Sequence, residues 1–414
     1  MAHSYPRVQR LDLLGDRVWE GSITIREDGK EVWLDRPHKP GHESTEGLGS
    51  VIMGPALVDL YSTSGEPGRE DRETLDSMQG AAHHGGFAAV GILPHTLPAI
   101  DDGAMQEFWQ RQGAWCRPWG ALTRGAQGSQ LTDLAALAPW VVGLTDGRAI
   151  ANDLLLYRAM TYLRPLQKPL MLMAQMPLLH DRGVIREGVE SVRLGLPAAP
   201  VAAETAHLAA LLELVRSTQT SVHLMRVTSA RAVALIGQAK AEGLPITAST
   251  TWMHLCFEAA DLVTYDPNLK LWAPLGNGGD RQALITGLKQ GVLDAIAVDH
   301  TPYTYEEKMI ALEDAPRGAM GLELVLPILW HRLVEPGHLT ALQLWRSLSL
   351  IPAKILNLPL PAAQIIFDPQ ASWNVDSQNL HSLARNTPFW QQTLRGRVTT
   401  WLNSRPDLES KANP

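Results

Sequence analysis

Cysteine, positive charge and long apolar runs are all scarce in this sequence of 414 residues. Its two cysteines, Cys116 and Cys256, lie far apart and at no metal-ligand spacing, so we expect buried reduced thiols and no disulfide. A net charge of −7 excludes the basic surface that nucleic acid or an anionic membrane would attract. No apolar stretch reaches the ~18 residues of a membrane span, and residues 1–10 lack the apolar core of a signal peptide. We therefore expect a cytoplasmic protein that binds neither nucleic acid nor membranes.

Short apolar segments alternate with longer helical patterns from Val51 onward. The candidate strands are Ala56–Leu60, Ala88–Leu93, Trp119–Leu122, Val141–Leu144, Leu170–Met173, Ser221–Met225, Ile246–Thr250 and Ala295–Val298. The helical patterns between them include Asp71–His84, Ile150–Leu163, Ala202–Ser217, Ala230–Glu242 and Gly279–Gln290. About eight such units with nearly unbroken apolar strands favour a closed parallel (β/α)8 barrel. A doubly wound open sheet is the rival, but no glycine-rich phosphate loop follows the first strand.

Both ends of the chain have a different, β-rich character. Short strands with turn signals are predicted within 8–34 and again within 364–401, and a polar loop spans 36–49. We therefore expect an α/β protein in which 53–355 form the barrel. Residues 1–52 and 356–414 are expected to form a small β-sandwich domain built from both chain termini.

The end of the first barrel strand carries the most specific motif. The sequence from Pro55 to Gly68 resembles the Pro-Gly-x-Ile-Asp-x-His-x-His-x-Arg-x-Pro-Gly motif of dihydroorotases, a branch of the amidohydrolase superfamily. Further matches in the family's order include Pro94-x-Thr96-x-Pro98, the run Asp294–Pro302, Gly321-Leu322-Glu323 and Asn386–Phe389. The resemblance implies a TIM-type amidohydrolase barrel and an ancestry in zinc-dependent hydrolysis of a cyclic amide, within pyrimidine biosynthesis.

The metal site that this resemblance implies is altered. Its positions in this chain are Tyr61, Thr63, Asp146, Met173, Arg226 and Asp299. The first two replace the His-x-His pair, and Met173 and Arg226 replace two later histidines, while Asp299 stands at the catalytic aspartate. A hydroxyl with a pKa near ~10 or above binds zinc poorly, and a permanent cation opposes it. We predict that the zinc is lost, that these positions are vestigial and that Asp299 no longer catalyses.

The implied substrate site is altered as well. Gly65 and His95 stand where the family has an arginine and an asparagine that hold the substrate carboxylate, and Ala273–Gly276 replaces a Pro-Pro-Leu-Arg segment. Arg226 is hypothesised to pair with Asp146 or Asp299 and to take over the charge of the missing cation.

A relocated metal site is the alternative to a lost one. The candidate ligands are the adjacent pair His83-His84 and the histidines that could approach the barrel mouth, which are His95, His223, His254 and His300. Neighbouring positions on a helix point in different directions, so His83 and His84 are not expected to share an ion. The others are expected to be hydrogen-bonded structural histidines.

The leading hypothesis is a catalytically inactive dihydroorotase-like protein without a cofactor. The resemblance implies that such a chain can serve as a structural subunit for the catalytic chain of aspartate carbamoyltransferase, or can self-associate. Two alternatives stay open: an active cyclic-amide hydrolase with an unorthodox or metal-free centre, and a ligand-sensing protein that keeps the barrel pocket.

Overall fold

The computed structural model describes residues 3–25, 31–35 and 50–402. Within those ranges the strands are β1 (His3–Asp12), β2 (Arg17–Ile25), β3 (Glu31–Asp35), β4 (Val51–Pro55), β5 (Leu57–Ser62), β6 (Phe87–Ile92), β7 (Cys116–Pro118), β8 (Leu170–Met173), β9 (Ile185–Arg186), β10 (Ala198–Ala199), β11 (Val222–Met225), β12 (Ile246–Thr251), β13 (Ala295–Ala297), β14 (Gln364–Asn374) and β15 (Thr393–Leu402). The loop predicted for 36–49 and the tail after 402 lie outside the described residues.

Helices surround the central strands. The α-helices are α1 (Leu75–His84), α2 (Gln106–Gln110), α3 (Leu134–Leu137), α4 (Asp153–Leu163), α5 (Pro177–His180), α6 (Val189–Leu194), α7 (Ala202–Thr218), α8 (Ala230–Ala241), α9 (Trp252–Cys256), α10 (Gly278–Gln290), α11 (Tyr305–Lys308), α12 (Val325–Leu329), α13 (Ala341–Trp345) and α14 (Ile351–Ile355). Turns of 3-10 helix occur at Gly103–Met105, Arg124–Ala126, Arg164–Leu166, Ala259–Thr264 and Pro267–Leu269, and π-helical turns at Trp330–Val334 and Arg346–Leu350.

The parallel strands in the middle of the chain close into the predicted barrel. β5, β6 and β7 form one parallel group, and β8, β11, β12 and β13 form another. Leu144 joins the two groups, because it forms parallel bridges to both Gly120 and Leu170. The barrel closes where the backbone NH of Asp299 donates to the carbonyl of Tyr61 at 3.1 Å. The C-terminal ends of all these strands share one rim, where barrels of this kind carry their functional side chains.

Most of the eight strands lie within one or two residues of their predicted bounds, and two differ more. The third is β7, whereas the sequence predicts Trp119–Leu122, and the fourth, predicted as Val141–Leu144, contributes only the bridges of its last residue. Trp119 lies inside the barrel, where its indole NH donates to the carbonyl of Leu60 at 2.8 Å. An apolar run shows that a segment is buried, but such a run does not show which of its backbone groups pair.

Capping side chains set the helix starts later than the apolar patterns predict. α1 begins at Leu75 and not at Asp71, because the hydroxyl of Thr74 accepts from the NH of Ser77 at 3.1 Å. α4 begins at Asp153 because the side chain of Asn152 caps it in the same way. Such caps satisfy NH groups that the first turn of a helix leaves free.

Both chain ends contribute to one six-stranded sheet, in the order β15-β14-β4-β1-β2-β3. β1 and β4 are parallel, and the other neighbours are antiparallel. Its own small core includes Val8, Met53 and Ile366. The sheet curls over this core, so that the hydroxyls of Tyr5 and Thr400 meet at 2.8 Å although two strands separate β1 from β15. The predicted β domain from both termini is confirmed, and it consists of one curled six-stranded sheet.

The remaining sequence expectations concern the thiols and the membrane. Cys116 and Cys256 are both buried and unpaired, as predicted. None of the helices in the described ranges is long and apolar enough to cross a membrane. A cytoplasmic location stays a prediction.

Candidate functional site

The positions that the family resemblance assigns to a metal site gather at the barrel rim. Tyr61 lies near the end of β5, Met173 ends β8, Arg226 directly follows β11, and Asp299 lies two residues after β13. Their side chains point to one centre because the C-terminal ends of parallel strands meet at one rim. Thr63 and Asp146 lie at the same rim, but their hydrogen bonds go to His300 and to Thr123.

Arg226 and Asp299 form a buried bidentate ion pair. Nε of Arg226 donates to Oδ2 of Asp299 at 2.7 Å, and Nη2 donates to Oδ1 at 2.6 Å. The two side chains are only 1% and 11% exposed. The planar guanidinium matches a carboxylate in this geometry, which makes such pairs both strong and directional. The hypothesis that Arg226 pairs with a rim carboxylate is confirmed, with Asp299 as its partner.

The rest of the guanidinium is also bonded. Nη1 of Arg226 donates to the carbonyl of Gly147 at 2.7 Å and lies 3.7 Å from the sulfur of Met173. The guanidinium carbon stands 5.4 Å from the ring centroids of both Tyr61 and Trp272. Burial alone would lower the pKa of Arg226, but the charge of Asp299 and the hydrogen bonds to it outweigh burial and raise that pKa. The site therefore carries a permanent positive charge at its centre.

Both partners of the ion pair have left-handed backbone conformations. Their φ angles are +55° for Arg226 and +52° for Asp299, a region that non-glycine residues adopt only when the surroundings require it. Tyr61 supplies part of that requirement, since its hydroxyl accepts from the NH of Arg226 at 3.2 Å and its carbonyl accepts from the NH of Asp299. The surrounding barrel thus orients the pair.

Tyr61 acts as a buried neutral phenol. Its hydroxyl lies 3.4 Å from that of Ser249 in addition to its contact with Arg226. Burial, with a smaller contribution from the charge of Asp299, raises the pKa of Tyr61 well above its usual value. The phenol is therefore protonated at neutral pH, and its oxygen is already hydrogen-bonded.

Asp146 bonds away from the centre. Its two carboxylate oxygens accept from the backbone NH and the hydroxyl of Thr123, at 2.8 and 2.5 Å. Nε2 of His95 donates to the Asp146 carbonyl at 2.6 Å, and burial lowers the pKa of His95 to about 3, so this imidazole is neutral. Of the two partners considered for Arg226, Asp146 is thus the wrong one: its carboxylate is held by Thr123, and Arg226 contacts the neighbouring Gly147 instead.

The loop after β5 encloses Gly65, one of the two positions predicted to have lost a substrate-binding side chain. A Cβ atom added to Gly65 would lie 2.4 Å from the carbonyl oxygen of Glu73 and 2.5 Å from that of Arg69. The carbonyl of Gly65 itself accepts from the NH of Arg69 at 2.7 Å. Thr63 is tied down by a backbone bond from its NH to the carbonyl of His300 at 2.7 Å. No side chain as large as arginine fits at position 65 without moving the backbone.

The histidines near the rim are bonded within the fold. His223 contacts the hydroxyls of Thr247 and Ser249 at 2.9 and 2.8 Å. His254 donates to the carbonyl of Ala273 at 3.0 Å, and His300 donates to the buried carboxylate of Glu73 at 2.9 Å. These contacts confirm the expectation of structural histidines.

His83 and His84 point in different directions, as predicted. The ring of His83 stacks on Trp401 with centroids 4.6 Å apart, whereas His84 stacks on His381 at 3.4 Å. In the described part of the chain, no group of three His, Cys, Asp or Glu side chains is arranged to hold a metal ion.

Comparison with known proteins places the chain in a family. A family model described as "Dihydro-orotase-like" matches residues 49–232. The "Probable dihydroorotase-like protein" of Synechocystis sp. is 41% identical over 415 residues, which cover 92% of each protein. The "Dihydroorotase" of Pelotomaculum thermopropionicum is 35% identical over 86% of each. The chain belongs to the dihydroorotase-like family. This result confirms the resemblance inferred from the motifs.

Solved structures place this dihydroorotase-like chain in the amidohydrolase fold. The L-hydantoinase (dihydropyrimidinase) of Arthrobacter aurescens superimposes with a TM-score of 0.76 over 95% of this chain and 93% of that one, at 18% identity. A D-hydantoinase gives a TM-score of 0.73 over 97% and 94%, also at 18% identity. At this identity the likeness establishes the fold, a barrel with a β domain.

The zinc that the family implies does not fit the side chains of this dihydroorotase-like chain. Both oxygens of Asp299 accept from Arg226, and both oxygens of Asp146 accept from Thr123. A catalytic zinc needs about three protein ligands and an open position. Here the permanently charged guanidinium of Arg226 lies against the carboxylate of Asp299, which would otherwise face the zinc ion. We therefore derive no reaction step through a metal.

Two parts of the site were missed from the sequence. The ring centroid of Trp272 stands 5.4 Å from the guanidinium carbons of both Arg226 and Arg148. Trp272 directly precedes the altered segment Ala273–Gly276, and this position could have identified it as part of the site. His180 lines a small cavity beside Arg226, and neither of its ring nitrogens has a hydrogen-bond partner. No sequence pattern pointed to His180.

Proposed function

We propose that this dihydroorotase-like chain is a non-catalytic subunit of pyrimidine biosynthesis, which supports the catalytic chain of aspartate carbamoyltransferase. The Arg226–Asp299 ion pair is the main observation that supports a lack of catalysis. A general base needs a free acceptor within reach of the water that it deprotonates, but both oxygens of Asp299 already accept from Arg226. Without an activated water, the amide bond of a cyclic substrate is not attacked.

The space beside the ion pair also argues against a substrate. The cavity that Arg226 lines has room for only about one water molecule, far less than the ~300–1,000 Å³ of usual ligand pockets. Gly65, where the family's arginine would bind a substrate carboxylate, is enclosed by the carbonyls of Arg69 and Glu73. A cyclic amide with a carboxylate would therefore find no arginine to bind that carboxylate at position 65, and the cavity would be too small to hold it.

Exposed apolar side chains at the barrel rim support a structural role. Leu178 on α5, and Val189 and Val192 on α6, are each at least 80% exposed. α6 contacts the 3-10 turn Ala259–Thr264, and Tyr265 just after that turn donates to the carbonyl of Leu194 at 2.7 Å. The exposed valines of α6 therefore lie beside the exposed Val263 and Tyr265, and an apolar surface of this kind is typical of an interaction site.

Co-purification tests the partnership. Tagged chain would be expressed with the aspartate carbamoyltransferase catalytic chain of the same organism, and the assembly measured by light scattering. We expect a stable complex that the double variant Leu178→Ser, Val192→Ser weakens, while Leu14→Ser on another exposed surface leaves it intact. A transcarbamoylase that assembles identically with and without this chain would refute the proposal.

A cyclic-amide hydrolase is the rival proposal, and the name "Dihydroorotase" of relatives such as that of Pelotomaculum thermopropionicum favours it. Metal analysis and a dihydroorotate hydrolysis assay on one purified sample separate the two. We expect substoichiometric zinc and no turnover above background. One zinc per chain together with turnover would establish the hydrolase instead.

A further inference from the structure

A second cavity lies at the end of the barrel opposite the rim that holds Arg226. It is bounded by β7 and the residues before it, the loop that leads to Leu144, the residues just before β8 and the turn after α14. Its volume is about 550 Å³, within the ~300–1,000 Å³ of usual ligand pockets. Barrels of this kind carry their chemistry at the C-terminal ends of the strands, so this cavity is separate from the altered rim.

The lining of this cavity carries positive charge without a balancing carboxylate. Arg117 on β7 and Lys168 just before β8 both line it, and the lining contains no Asp or Glu among the residues that the structure describes. Burial lowers the pKa of Arg117, and no carboxylate of the described chain acts against that effect. The guanidinium still keeps its charge. A partly buried cation without a counter-ion is unfavourable, so it favours an anion beside it.

Both cationic side chains have unused hydrogen-bond donors. The Nε atom of Arg117 is buried and has no partner within the described ranges. Nζ of Lys168 donates to the carbonyl of Val141 at 2.9 Å, and an ammonium group has more donors than this one carbonyl can satisfy. Burial lowers the pKa of Lys168 as well, which is the effect that a bound anion would oppose. The two side chains can therefore serve a ligand that supplies acceptors.

The other walls of the cavity are aromatic and apolar. The wall side chains are Trp109, Trp140, Leu356 and Leu358. Trp109 and Leu356 are each only 1% exposed, because they also pack in the interior of the protein. These walls are thus held in place before any ligand binds. Apolar walls with a few polar groups are typical of sites for small organic molecules, whereas a free inorganic ion would leave the apolar walls unused.

We propose that this cavity binds a small organic anion, a carboxylate or a phosphate monoester with an apolar body. The oxyanion accepts from the guanidinium of Arg117 and the ammonium of Lys168, and the body packs against the tryptophan and leucine walls. A guanidinium matches the paired oxygens of a carboxylate and of a phosphate equally well. Binding here uses neither the rim residues nor the transcarbamoylase, so it does not depend on the proposed function.

Isothermal titration calorimetry with four probes tests the ligand class on the full chain. Benzoate and phenyl phosphate share a ring and differ in the oxyanion, benzamide keeps the ring without the charge, and inorganic phosphate keeps the charge without the ring. We expect one of the two organic anions to bind about tenfold or more tighter than benzamide and inorganic phosphate. The tighter of the two identifies the oxyanion. Equal affinity for benzamide, or tightest binding of inorganic phosphate, would overturn the proposal.

Substitutions test whether the anion binds in this cavity. Arg117→Met and Lys168→Met each remove a charge but keep an apolar stem, and each is expected to weaken binding of the preferred anion about tenfold or more. Arg111→Met is the matched control, because Arg111 lies nearby in sequence but is 73% exposed and paired with Glu107. It is expected to bind as wild type does. Equal weakening by Arg111→Met would show attraction to surface charge and refute the site.

The melting temperature gives a readout that a purely structural arginine would not produce. Without anion, Arg117→Met is expected to melt at or above the temperature of wild type, because the lost cation has no counter-ion in the described chain. The preferred anion is expected to raise the melting temperature of wild type and of Arg111→Met, but not of Arg117→Met. A marked loss of stability in anion-free Arg117→Met, or an equal rise for all three proteins, would contradict the proposal.

Discussion

Replacing Arg226 by methionine removes the cation at the centre of the rim while keeping much of its volume. The variant loses two charge-assisted hydrogen bonds to Asp299 and one hydrogen bond to the carbonyl of Gly147. Asp299 is left 11% exposed and without a counter-ion. Removal of one partner from a buried pair costs about 3–5 kcal/mol, and two lost bonds to charged groups at about 1.5–3 kcal/mol each agree with that range. We expect Arg226→Met to lower the free energy of unfolding by about this amount.

A double-mutant cycle isolates the pair from its surroundings. Asp299→Asn keeps the shape of the carboxylate without its charge, and in the wild-type background it leaves Arg226 buried and unpaired. Combined with Arg226→Met, it removes both charges at once, so the double variant is expected to be more stable than the sum of the two losses predicts, by ~2 kcal/mol. Urea unfolding followed by circular dichroism measures all four proteins. An unchanged dependence of the unfolding free energy on urea shows that the same transition is compared.

A matched control comes from an exposed pair. Arg216 forms ion pairs with Glu213 and Glu242, and its side chain is 40% exposed. Arg216→Met is expected to change the unfolding free energy by less than about 1 kcal/mol, because solvent screens such pairs. The reasoning fails if Arg226→Met is no more destabilising than Arg216→Met, or if the effects of Arg226→Met and Asp299→Asn simply add.

Three further outcomes are expected. Gly65→Ala should lower the unfolding free energy by about 1–3 kcal/mol, because its Cβ would lie 2.4 Å from a backbone carbonyl oxygen. Gly103→Ala, with no atom within 4 Å of the added Cβ, is the control and should have little effect. Equal melting temperatures of the two variants would contradict this prediction. Burial lowers the pKa of His223 to about 3, so the unfolded chain takes up a proton there as pH falls from about 6.5, and stability decreases toward about pH 3. His223→Gln should therefore lose less stability than wild type between pH 7 and 4.5, by about 2–3 kcal/mol in urea unfolding; identical losses would refute it. Arg226→His should still bind far less than one zinc per chain by mass spectrometry, because a single histidine beside Asp299 falls short of three ligands; full occupancy would contradict the fit argument.

The barrel could be predicted from the sequence because its strands are buried on both faces and read as short apolar runs. The exact pairing could not, since hydrogen bonds of individual groups decide it. Trp119 illustrates the difference: its apolar character predicts burial, yet its indole bonds to the carbonyl of Leu60 and the strand ends at Pro118. The curl of the small sheet likewise depends on side-chain contacts between distant strands, such as Tyr5 with Thr400.

At the site, the sequence predicted which residues would meet but not all of their bonds. All three residues were expected at strand ends, so Arg226 was predicted to face Asp146 and Asp299. The long side chain of Arg226 could reach either carboxylate. The choice depends on Thr123, which holds the carboxylate of Asp146 with two hydrogen bonds and leaves Asp299 as the partner. Nothing in the spacing of the motifs identifies Thr123, because the contact joins two loops 23 residues apart.

The ion pair leads us to expect that no single substitution will create a metal site at this rim. In an enzyme of this family a cation would balance the rim carboxylates, and here Arg226 supplies that balance from within the chain. A histidine restored at Tyr61, Thr63 or Met173 would add one neutral ligand next to a guanidinium that repels any divalent ion. Removal of Arg226 alone would leave a buried carboxylate without compensation. Creation of a metal site here is thus expected to require several coordinated changes, each unfavourable by itself.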